Sequence, residues 1–115
     1  MLLVGSHDNF LAINDYLSEQ ASRVADPGRL EARYRYWIGA MRSHERYEEV
    51  KLYPYLAHRF GVSFDDALSG HEELHERHDA VLAAFVAVSP HVSDASRAAL
   101  VRALRAHRET LYAHL

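Results

Sequence analysis

The chain has 115 residues, 49% hydrophobic and 25% charged, with a net charge of −3 and no cysteine. That balance describes a globular domain rather than a disordered tail, and no apolar run approaches the roughly 20 residues of a membrane span. The missing cysteine removes disulfides, thiol catalysis, iron–sulfur clusters and cysteine-held zinc, while the mildly acidic charge without a basic block argues against nucleic acid.

Four helical segments are expected, all within one domain spanning residues 1–115. The first begins after Ser6, a good N-cap, and runs to about Val24, where Asp26-Pro27-Gly28 stops it. Its apolar stripe is Phe10, Ile13, Leu17, Ala21 and Val24, spaced three or four apart. The second runs from near Arg29 to about Ala57 through Leu30, Tyr34, Trp37, Met41, Leu52 and Tyr55, with Pro54 a kink or an early end. Gly61-Val62-Ser63 breaks the chain, and Ser63 with Asp66 resembles a capping box. The third carries Phe64, Leu68, Leu82 and Phe85 and ends before Ser89-Pro90. The fourth opens at Ser93-Asp94 and turns Leu100, Leu104 and Leu111 inward. No strand-like alternation occurs, so the fold class is all-α, an antiparallel up-down four-helix bundle.

Nine histidines are the unusual feature of the composition. Most fall on the apolar stripes: His7 on the first, His44 with Glu48 on the second, His71, His75 and His78 on the third, and His107 and His114 on the fourth. Only His58 and His91 fall in breaks. A single histidine on an apolar face is ordinarily a hydrogen-bonded core residue. Seven of them with a glutamate are not explained that way, because burying an unpaired carboxylate costs several kcal/mol. A transition-metal cation removes the difficulty, since imidazole and carboxylate are its ligands. Residues four apart share a helix face about 6 Å apart, and all four helices present such groups at one depth.

His71-Glu72-Glu73-Leu74-His75 also fits the H-E-x-x-H zinc-protease helix, but that reading leaves His44, Glu48 and His107 buried without a purpose. A ferritin-like site needs Glu-x-x-His on two helices, and only Glu72-x-x-His75 matches.

The arrangement resembles the hemerythrin-like (HHE) family over essentially the whole chain. The family pattern is a lone histidine, then H-x-x-x-E, then H-x-x-x-H, then a histidine followed five residues later by a carboxylate. His7, His44 with Glu48 in HERYE, His71 with His75 in HEELH, and His107 follow it, and HERYEEVKLYPYL looks like the family's second helix. The resemblance implies two iron ions in an oxo- or hydroxo-bridged centre. His71, His75 and His107 would hold one, His7 and His44 the other, and Glu48 would bridge them. Tyr112 stands where the family has its second bridging carboxylate. It either packs or offers a phenolate to iron, as in a tyrosine-bearing branch of the family. His114 is the alternative to His107 on the fourth helix, and His78 the alternative to His71.

A phenolate ligand favours ferric iron, so the implied reactivity is toward peroxide, with nitric oxide as a further oxidant-linked substrate. That makes a catalase- or peroxidase-like activity one expectation. The rival expectation is a reversible dioxygen-binding, or an oxygen- or iron-sensing, domain. The partners are then small-molecule oxidants, O2, H2O2 or NO, with no nucleic acid and no membrane. Met1 to Val4 is too short and uncharged for a signal peptide, so the expected location is the cytoplasm.

Overall fold

The computed structural model describes residues 2–114, and the side chains of 9–113. Every regular element among them is helical. Helix α1 spans Leu2–Arg23, and a 3-10 turn at Pro27–Leu30 leads into α2, Glu31–Tyr47. A π-helical turn, Glu48–Leu52, joins α2 without a break to α3, Tyr53–Phe60. Helices α4, Asp65–Val88, and α5, Asp94–His114, complete the chain. The second of the four long helices is therefore α2, the π turn and α3 in succession. The molecule extends 52 × 23 × 20 Å, much longer than wide.

The breakers act where their chemistry requires. Asp26 accepts the Gly28 N–H at 3.1 Å and Pro27 sets the first dihedral of the turn, so α1 cannot continue. Gly61 ends α3 in the left-handed region, φ +65°, with its N–H on the Ala57 carbonyl at 2.9 Å. Ser93 and Ser96 exchange side-chain and backbone bonds at 2.9 and 3.0 Å, a capping box with serine in the place of glutamate. Arg97 reaches across from α5 and donates to the Ala21 and Val24 carbonyls at 2.9 and 2.6 Å. Those acceptors are the unsatisfied end of α1, so one side chain both caps a helix and ties two helices together.

Several boundaries and faces differ from the sequence expectation. Helix α1 starts upstream of Ser6, because Leu2 and Leu3 favour helix and no proline interrupts them. Its buried stripe is Phe10, Asn14, Leu17 and Ala21, with Asn14 taking the interior place expected of Ile13. Ser63 bonds the Asp65 N–H at 3.2 Å instead of forming a box with Asp66. Tyr55 and Leu68 are exposed, and His58 lies within α3 on its solvent side rather than in a break.

Pro54 does not end the second long helix, which continues to Phe60. In a regular α-helix its ring meets the carbonyl four residues back, and its missing N–H leaves that carbonyl unpaired. The turn just before it widens instead, and the Tyr53 N–H reaches back five residues to the Glu48 carbonyl. The core runs through Leu17, Tyr34, Met41, Leu74, Val81, Phe85, Leu100 and Leu104, with α5 packed on both α4 and α1. No helix among the described residues is long and apolar enough to cross a membrane.

Candidate metal centre

The widened turn decides what the second long helix offers to α4. Residues five apart on an α-helix point about 140° away from each other. A π turn closes that angle, and Tyr53 donates its hydroxyl to Glu48 Oε2 at 2.9 Å. The same turn brings both Glu48 and Glu49 to His71. His71 Nδ1 meets Glu49 Oε1 at 2.7 Å, while its Nε2 lies 3.4 Å from Glu48 Oε1. His44 Nε2 approaches that same Glu48 oxygen at 3.6 Å. Glu48 therefore has one oxygen held by a phenol and the other between two imidazoles from different helices.

The electrostatics follow from this packing. Burial would raise the Glu48 carboxyl, but the bonds from His71 and Tyr53 and the charges of His44 and His71 outweigh it and hold the group below its ordinary value. Burial would lower His71, 2% exposed, yet the bonds to Glu48 and Glu49 push it up to about 9. Burial and the bond to Glu48 raise the Tyr53 phenol, so it stays a donor.

One turn away, the buried Glu45 takes the His75 Nε2–H on its Oε2 at 2.7 Å. Deeper still, the His78 and His107 rings meet edge to face, 4.5 Å between centroids. Both are 0% exposed, and burial pushes His78 down to about 2 and His107 down to about 4. Asn14 Nδ2 and the Tyr34 hydroxyl lie 3.2 and 3.4 Å from His107 Nδ1, and Trp37 closes the side at 5.1 Å.

Of the residues expected from the sequence, His44, Glu48 and His71 come together. His75 sits at the edge on Glu45, and its side chain is 44% exposed. His107 lies beside His78, which is two helical turns from His71, rather than at the depth of Glu48. The side chains of His7 and His114 lie outside the described residues. Tyr112 is 66% exposed. The inward face of α5 runs through Leu100, Leu104, His107 and Leu111, and the next residue turns about 100° away from it. The tyrosine whose hydroxyl meets a site carboxylate is Tyr53.

Glu45, Glu49 and Tyr53 were not singled out from the sequence. Glu45 could have been found, because it lies four residues after Met41 on the stripe of Trp37 and Met41. Glu49 and Tyr53 could not, because an α-helical register turns them away from Glu48's face.

Among the described residues no three His, Asp or Glu side chains already converge on one point that could hold an ion. They are paired with one another instead. The fit to a cation is nevertheless visible in what pairing leaves over. Glu45 Oε1, His107 Nε2 and both ring nitrogens of His78 are buried with no hydrogen-bond partner among the described residues. Unpartnered buried polar atoms carry a penalty of about 1–3 kcal/mol each, and these are nitrogen and carboxylate donors of the kind iron takes.

The sequence matches the family described as Hemerythrin HHE cation binding domain over residues 2–115. The chain belongs to that family. No curated protein and no solved structure matches it at a significant level.

Proposed function

We propose that the chain is a non-heme iron protein holding two irons within an antiparallel up-down bundle and reacting with peroxide, nitric oxide being a further small substrate. The contacts that support the antiparallel order are Asn14 with His107 and Ala21 with Arg97 between α1 and α5, and Arg77 with Thr110 and His78 with His107 between α4 and α5. In each pair of helices one number rises as the other falls.

The observation that carries the reading is Glu48 Oε1, which faces His44 Nε2 and His71 Nε2 at once. A carboxylate between imidazoles on two helices is suited to join two ions, with His44 serving one and His71 the other. Iron held there would supply a ferrous–ferric couple. Glu49 accepts the His71 Nδ1 proton, so that Nε2, which faces Glu48, would be the nitrogen offered to a cation once it gives up its own proton. Glu45, whose Oε1 has no partner among the described residues, offers a second carboxylate in place of the one the family has at the position of Tyr112. His75 and His7 would join the proposed set, and the fourth helix would give either His107, which lies beside His78 two turns from His71, or His114.

Access separates peroxide chemistry from oxygen carriage. The His75 and Glu49 side chains are 44% and 39% exposed, so one edge of the cluster meets solvent. A stable oxygen adduct needs water and protons kept out, whereas peroxide turnover needs proton exchange. A second reading, reversible dioxygen binding, draws on the apolar wall that Trp37, Tyr34 and Phe85 build around His107.

Elemental analysis of protein expressed in iron-rich medium, joined to peroxide consumption, tests the proposal. About two irons per chain are expected, more than one tetrahedral zinc site accounts for. Glu48→Ala should lose at least one iron and most of the turnover. Zinc at one per chain with no iron would end the reading, and a long-lived adduct of the diferrous protein with O2 would favour the second.

A further inference from the structure

We infer that Tyr53 is the positioning residue that decides how Glu48 is offered to a metal: its hydroxyl holds Oε2, so that Oε1 alone is free to bind. The inference rests on the iron reading above and adds a residue that the histidine and glutamate pattern does not contain.

Three observations lead to it. The Tyr53 hydroxyl donates to Glu48 Oε2 at 2.9 Å, while both imidazoles approach Oε1. The two residues are joined twice, by side chains and by the backbone bond from the Tyr53 N–H to the Glu48 carbonyl, so the π turn fixes their relative position. The Tyr53 ring is itself held, stacked on Phe64 at 4.4 Å with 6° between planes and lying 6.0 Å from His71. A phenol fixed on both sides cannot follow the carboxylate if the carboxylate turns. For Glu48 to bind through both oxygens, the bond to Tyr53 has to open. Tyr53 thus stabilises binding through Oε1 alone, the oxygen that both imidazoles face, and opposes binding through both oxygens.

Tyr53→Phe removes that hydroxyl and keeps the stacked ring. Titrating Co(II) into the full chain, and recording its visible bands, reads both affinity and the ligand field without any turnover. The wild type is expected to bind Co(II), and Glu48→Gln to lose that binding. Tyr53→Phe should fold with unchanged helical content, show visibly altered Co(II) bands, and shift the dissociation constant by about tenfold or more, the usual effect of a partner behind a metal ligand. Phe64→Leu weakens the stack but keeps the hydroxyl, and it should change the bands less than Tyr53→Phe does. Should Tyr53→Phe not fold, infrared difference spectra of the wild type against Glu48→Gln decide the matter. A wide carboxylate splitting on Co(II) addition supports single-oxygen binding, and a narrow one overturns it. Absence of Co(II) binding by the wild type would sink the metal reading and this inference together. Normal wild-type binding, with Tyr53→Phe indistinguishable from it, would sink this inference alone.

Discussion

His78 illustrates how a single residue can report which force governs a site. Its ring is fully buried and neither nitrogen has a partner among the described residues, a costly arrangement in a protein without a cation. His78→Leu keeps the approximate volume and removes both polar atoms. The metal-free protein should therefore gain about 1–2 kcal/mol, seen as a higher urea midpoint, while iron content falls. Loss of stability with iron retained would make His78 an ordinary packing residue. Tyr112 gives the opposite case. With its ring largely in solvent, Tyr112→Phe should leave the visible spectrum of the iron-loaded protein unchanged. A lost charge-transfer band would bring its phenolate back as a ligand.

Among the elements, the tie between α1 and α5 is the clearest target. Arg97 satisfies two carbonyls at the end of α1, and a charged hydrogen bond to such a group contributes about 1.5–3 kcal/mol. Arg97→Ala should cost about 2 kcal/mol and lower the melting temperature by roughly 8 °C, as calorimetry would measure. Iron content should not change, since none of the residues Arg97 holds belongs to the Glu48 cluster. A variant that melts normally would show that solvent replaces the guanidinium without cost. The elements also mark where sequence reading stops. Leu17, Ala21, Phe85, Leu100 and Leu104 were legible because spacing alone puts them inside. His44, Glu48 and His71 were legible because polar groups on such a stripe need a reason to be there. The pairing of Glu48 with Tyr53 was not, because periodicity assumes 3.6 residues per turn and Pro54 makes one turn wider. The separation of His107 from His71 was hidden too, since depth counted from loops shifts with every misplaced boundary.

For the whole molecule, the buried imidazoles give stability a defined dependence on pH. His78 and His107 titrate lower in the folded chain than in the unfolded one, where the ordinary value is 6.5. Between those values the unfolded state binds more protons, so stability falls as pH drops below about 6.5. At pH 5 the loss is about 2 kcal/mol for each ring. His71 works in the other direction. Its folded value of about 9 lies above 6.5, so its contribution is full below 6.5 and disappears as pH rises to 9. Glu48, held below its ordinary value, adds to the acid loss only once pH falls through the carboxylate range. The metal-free protein should be most stable near neutrality, with urea midpoints lower at pH 5 and at pH 9 than at pH 7. A midpoint that rises steadily toward pH 5 would contradict the burial of His78 and His107.

The exposed edge at His75 has a kinetic meaning as well. An ion held deep in a bundle leaves only when its last protein ligand lets go, and the slowest release sets its lifetime. Among the described histidines of the proposed set His75 is the most exposed, and its Nε2 is bonded to Glu45. A chelator approaching from solvent would meet that residue first, take its place, and draw the ion outward past Glu49. Metal removal by a small chelator should then depend on chelator concentration, as in a stepwise exchange. His75→Ala should speed removal more than it weakens equilibrium binding, because the outermost step is lost while the inner donors stay. Removal at a rate independent of chelator would mean that the bundle must open before any ion can escape.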